Sequence, residues 1–102
     1  MVKAKNYKEH LLKQLQKPKE AAAYLNAALQ DDDPHVFLLA LRDIAEAKGG
    51  MGQLADEADL NREHLYHTLS LKGNPSFFNL LAVLDAVGLE FSIHARAKRI
   101  SA

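Results

Sequence analysis

The sequence predicts an all-α protein of short helices closed by one short strand, and three observations lead there. Apolar residues recur at helical spacing in four separate stretches, within 21–29, 37–45, 51–58 and 77–87. Residues that start or stop helices fall between them: Pro18 and Pro34 at starts, Gly49-Gly50 and Gly88 at ends. Strict period-two alternation is confined to the run LEFSIHA at 89–95.

In chain order, 7–16 reads as a short helix with a modest stripe of Leu11, Leu12 and Leu15. Pro18 then suits a first helical turn, and Ala21, Tyr24, Leu25, Ala28 and Leu29 form an amphipathic stripe ending near Gln30. Asp31, Asp32 and Asp33 supply a cap and favourable charge for the positive end of the next helix, 34–48. Its buried face is Phe37, Leu38, Leu41, Ile44 and Ala45, with Arg42, Asp43, Glu46 and Lys48 outside.

After Gly49-Gly50, Met51, Leu54, Ala55 and Ala58 make one stripe on a helix whose other side is Gln53, Asp56 and Glu57. A methyl-sized Ala55 lets a second helix cross closely. Asp59 falls at a turn that needs φ > 0, which Asp tolerates; Leu60 plugs the corner and Asn61 is a good N-cap for a helix over 62–70. In that helix Leu65 and Leu69 point inward, leaving Arg62, Glu63, Tyr66 and His67 to project elsewhere.

Lys72, Gly73, Asn74 and Pro75 then make a turn, and Ser76 caps a helix through Val87. Its apolar stripe is read as Phe77, Leu80, Leu81, Leu84 and Val87, which puts Phe77 in the core and makes Phe78 a candidate for an interface or for burial beneath the N-terminal helices. The alternation at 89–95 sets Leu89, Phe91, Ile93 and Ala95 against Glu90, Ser92 and His94, a strand with one wet face whose partner must come from another copy or another protein. The expected divisions are an N-terminal helical extension at 1–33, a helix-turn-helix domain with its strand at 34–95, and a basic tail at 96–102.

The chain has 102 residues, 48% of them hydrophobic and 25% charged, and no Cys, so disulfides and thiolate zinc sites do not arise. Apolar runs of a few residues are far short of a membrane span, no signal-peptide core opens the chain, and a cytoplasmic protein is expected. His64 and His67 stand three apart on a helix, but a metal needs three or four converging ligands, and neither metal nor cofactor is expected. No phosphate loop, nucleophile elbow or paired-carboxylate arrangement points to an enzyme.

The net charge of zero argues against nucleic acid, yet the charge is segregated. Six Lys at 3, 5, 8, 13, 17 and 19 face only Glu9 and Glu20, and Arg96, Lys98 and Arg99 end the chain, whereas 31–59 carries eight acids against Arg42 and Lys48. That pattern fits a basic DNA face on an acidic body, and equally fits solvated charge on the termini.

Small, turn, apolar and apolar residues at Ala55, Asp59, Leu60 and Leu65 fall where a DNA-reading corner requires them. On these residues, the run 49–89 resembles the lambda-repressor-like (Xre-type) helix-turn-helix domain, a five-helix fold. The segments AAAYLNAALQDDDPHVFLLALRDIAEAKGGMGQLA, LYHTLS and GNPSFFNLLAVLDAVGL are similar to the addiction module antidote proteins, antitoxins paired with RelE/ParE-fold toxins. The similarity covers roughly residues 18–95.

The resemblance implies an antitoxin that represses its own promoter as a homodimer on a palindromic operator. Base readout falls to Arg62, Glu63, Tyr66 and His67, and phosphate contacts to Gln53, Asn61, Lys72 and Asn74. The toxin contact is expected on helices within 7–30, with the C-terminal strand next. Two readings stay open beside it: a stand-alone or phage-type regulator without a toxin, and a helical interaction module that reads no DNA, favoured by zero net charge and by Asp56, Glu57, Asp59 and Glu63 around the corner.

Overall fold

A computed structural model describes residues 4–97, so all but the first two residues of the basic tail expected at 96–102 lie outside them. Six helices follow in order: α1 (Ala4–Leu15), α2 (Pro18–Ala28), α3 (His35–Ala47), α4 (Met51–Ala58), α5 (Arg62–Thr68) and α6 (Phe77–Ala86). The protein is all-α, as its periodicity predicts.

Helix α3 is the axis of the core. Its Leu41 and Ile44 are fully buried, and α1, α2 and α4 all pack against it. Leu15 of α1 and Ala21 and Leu25 of α2 enter the same apolar cluster as Leu54, Leu65 and Val83. Polar ties reinforce the packing: the Tyr24 hydroxyl donates to Asp43 Oδ2 at 2.7 Å, and Lys8 Nζ stands 3.3 Å from Glu46 Oε2. Burial of the Tyr24 phenol, then its bond to Asp43, pushes its pKa well above the ordinary tyrosine range.

The expected punctuation operates in the structure. Asp33 Oδ1 accepts from the backbone N–H of His35 at 2.9 Å and from its ring Nδ1 at 2.8 Å, which holds the Asp33 carboxyl below its ordinary pKa. At the other end of α3, Gly50 N–H reaches back to the Ala45 carbonyl, and both glycines adopt positive φ that an L side chain resists.

Three expectations are corrected. Among the described residues, 34–97 hold four helices rather than five, and 87–97 add no fifth. Residues 89–95 are not a strand: Leu89 packs against the core and Phe91 stacks on neighbouring rings, but no second strand among the described residues offers the ladder that alternation alone cannot supply. In α6 the buried face is Leu80, Val83, Leu84 and Val87, so Phe77 lies 62% exposed instead of in the core. A helix reading FFNLLAVLDA is apolar nearly all round, and its stripe can be drawn through more than one register.

Candidate nucleic-acid interface

Helices α4 and α5 meet at a corner built residue by residue. Helix α4 ends at Ala58, and Asp59 turns the chain in the left-handed conformation, φ 57° and ψ 47°, the one non-glycine with positive φ among the described residues. The turn brings the Leu60 N–H to the Ala55 carbonyl at 2.8 Å. Asn61 then opens α5, its side-chain oxygen accepting from the His64 N–H at 2.9 Å. That bond satisfies one of the donors every helix start leaves unpaired. Met51, Leu54 and Ala55 of α4 and Leu65 of α5 are buried together with Leu69, just past the helix end.

With that side sealed, the opposite side of α5 faces solvent. Arg62, Glu63, His64, Tyr66 and His67 are all exposed. The Arg62 guanidinium lies against Gly52 in the first turn of α4, where an added Cβ would meet it at 3.6 Å, and sits 6.0 Å from the Tyr66 ring centre. From the other direction, Arg42 of α3 places its guanidinium 5.1 Å over the same ring. Tyr66 is thus flanked by two cations, each attracted to the electron-rich face of the ring. Three helices bring these groups together, so two guanidiniums share one aromatic ring on α5, with Glu63 exposed on the same helix.

The phosphate candidates are dispersed. Asn61 is engaged as the cap of α5. Gln53 donates to Glu57 Oε1 at 3.0 Å along the exposed side of α4, and its amide lies over Gly49. Lys72 and Asn74 are exposed in the turn after α5. That turn is anchored by Ser70, whose hydroxyl donates to the His67 carbonyl at 2.6 Å and accepts from the Lys72 N–H at 3.2 Å. Gly73 is buried so tightly on the Thr68 carbonyl that any Cβ there would collide with it.

Arg42 and Gly52 escaped the sequence reading. Arg42 lies on the polar side of its own helix, and nothing in α3 alone foretells that Tyr66 crosses it. Gly52 carries no mark in the sequence pattern, and in the fold the Arg62 guanidinium lies within ordinary contact distance of where its Cβ would be. No three His, Cys, Asp or Glu among the described residues converge as a metal site, and no helix among them is long and apolar enough to cross a membrane.

Over residues 6–95 the sequence matches the family described as "probable addiction module antidote protein". The chain belongs to that family. A relative in Haemophilus influenzae, itself described only as an uncharacterized protein, is 41% identical over 85 residues, covering 83% of this chain and 82% of that one. No solved structure matches. Family membership makes the chain an antitoxin in general terms, with a toxin as its partner.

Proposed function

We propose that this antitoxin belongs to a type II toxin–antitoxin system and represses transcription of its own operon. In this reading it binds a palindromic operator as a homodimer, through a lambda-repressor-like (Xre-type) domain at 34–95. The observation that carries the reading is the corner itself: a left-handed Asp59, a buried Leu65 and Leu69, and a capped α5 whose Arg62, Glu63, Tyr66 and His67 all face outward. Such a helix enters the major groove by its exposed face, where a guanidinium bonds guanine O6 and N7 and an imidazole donates to base-edge acceptors.

The roles divide by position. Arg62 and His67 read bases, Glu63 accepts from cytosine N4 or orients Arg62, and Tyr66 braces the guanidiniums beside it. Gln53, Asn61, Lys72 and Asn74 approach the phosphates on either side, and Arg42 joins them from α3. The partner toxin is of the RelE/ParE fold and docks on the helices within 7–30, where Tyr7 and Leu29 are exposed apolar groups on α1 and just past α2. An open groove of about 620 Å³ lined by Tyr24, Leu39, Asp31 and Asp43 adjoins that surface and suits a basic, partly apolar insert.

A gel shift with DNA from immediately upstream of the gene tests the DNA role. A shifted band that resists excess random competitor is expected. The absence of any shift would favour the interaction-only reading, which the acidic Asp56, Glu57, Asp59 and Glu63 around the corner support. Co-expression with the neighbouring gene product tests the toxin assignment: growth arrest relieved by this chain is expected, and no effect favours a stand-alone regulator.

A further inference from the structure

The α6 surface turned away from α5 carries an apolar patch that the DNA reading and a toxin docked on the N-terminal helices leave unused. Phe77 is 62% and Phe78 80% exposed; Leu81, one turn along, and Phe91 from the C-terminal segment border them. The rings form a row: Phe91 stacks between buried Phe37 and Phe77, each at 6.2 Å between centres, and Phe78 meets Phe77 edge-on at 6.3 Å. Ile93 lies two residues further along the segment and is almost wholly exposed. Contiguous exposed apolar surface of this kind marks an interaction site.

The geometry points to a second copy of this chain as the occupant, packed patch to patch about a two-fold axis beside α6. Area is the first argument. With about 200 Å² for an aromatic side chain and somewhat less for Leu and Ile, these exposures sum to nearly 600 Å² per protomer, or roughly 1,200 Å² for the pair. That reaches the lower edge of specific, stable interfaces, about 1,200–2,000 Å², before rim contacts are included. The row of rings is itself uncharged, and the acids nearest it, Asp85 one turn beyond Leu81 and Glu90 beside Phe91, are like charges that a two-fold contact has to keep apart.

Position on the helix is the second argument. Asn79, Leu80 and Val83 of α6 line one closed crevice with His64, Leu65 and Thr68 of α5, whereas Phe77, Phe78 and Leu81 lie on the other side of α6. Joining two copies through that other side gives the lateral order α5, α6, α6, α5. Helix α4 packs against both α5 and α6, so in that order the two α5 helices stand outermost and well apart, as entry into successive major grooves roughly 34 Å apart requires. The spacing argument rests on the proposed reading of α5; the patch and its area do not.

Sedimentation equilibrium of the full chain without DNA tests the interface. The wild type is expected to be a dimer at micromolar concentration, and Phe78→Asp, with an unchanged circular dichroism spectrum, to dissociate at least about 30-fold more readily, as a central hot spot would. Because the chain has no cysteine, Phe78→Cys supplies a second readout: rapid oxidation to a covalent dimer, with Lys13→Cys as a slow control. A monomeric wild type, a Phe78→Asp dimer as tight as the wild type, or a dimer that persists while toxin neutralisation is lost would each overturn the proposal. A patch dimer that ignores operator DNA would instead overturn the DNA reading alone.

Discussion

Asn61 caps α5 and, in the proposed reading, also approaches a phosphate, and one pair of substitutions separates the two roles. Its side-chain oxygen accepts the His64 N–H at 2.9 Å and so caps α5, a helix of only seven residues. A helix that short has no stability of its own and depends on its cap and its buried leucines. Asn61→Ala removes the cap at a cost of about 1 kcal/mol, which for a domain near 100 residues lowers Tm by roughly 4–8 °C. Asn61→Asp keeps the acceptor and adds a negative charge that the start of a helix favours, against mild repulsion from exposed Asp59 and Glu63, so Tm should stay within about 2 °C of the wild type.

On DNA the order reverses. A carboxylate placed near 4 Å from a phosphate is repelled by about 1 kcal/mol in water, so Asn61→Asp should bind operator about five-fold more weakly, with the deficit shrinking as salt rises. Thermal unfolding at fixed protein concentration and fluorescence anisotropy read the two effects. If Asn61→Asp melts as early as Asn61→Ala, the cap is not what secures α5. If it binds DNA like the wild type, no phosphate approaches the start of that helix.

Arg62→Ala should cost about 1–3 kcal/mol on the operator and little on random DNA, whereas Lys72→Ala should weaken both alike and reduce the salt slope by about one; equal losses for both variants on both DNAs would refute the division of roles. Gly73→Ala forces a methyl group into the Thr68 carbonyl and should destabilise by about 1–3 kcal/mol in urea titration, while an unchanged midpoint would show that the turn yields freely. Tyr24 gives an alkaline signature. Its folded pKa is raised, so its contribution is whole below the unfolded value near 10 and is lost as pH climbs from there through the folded value. Tyr24→Phe should flatten the decline in Tm above about pH 10, and an identical decline in both proteins would place its cause elsewhere.

Local chemistry decided which features were legible in the sequence. Gly49-Gly50, Asp59, Asn61 and Ser76 each impose a backbone geometry or donate a specific cap, and each does so where its type foretold. The outward placement of Arg62, Glu63, Tyr66 and His67 followed from Leu65 and Leu69 pointing in. Tertiary relations were hidden. Whether an alternating segment becomes a strand depends on a neighbour, and 89–95 finds none among the described residues. Which side of an almost uniformly apolar α6 is buried depends on what it lies against, so Phe77 was misplaced. Arg42 reaches Tyr66 only because α3 and α5 come together in space.

Methylation interference on the upstream DNA tests the reading of α5 most directly, because a methyl group on guanine N7 blocks the major-groove edge that Arg62 is assigned to bond. The account predicts two clusters of interfering guanines about one helical turn apart, with the same guanine in each half-site losing its effect in Arg62→Ala. Binding that tolerates guanine methylation throughout, or a pattern that Arg62→Ala leaves unchanged, would contradict it.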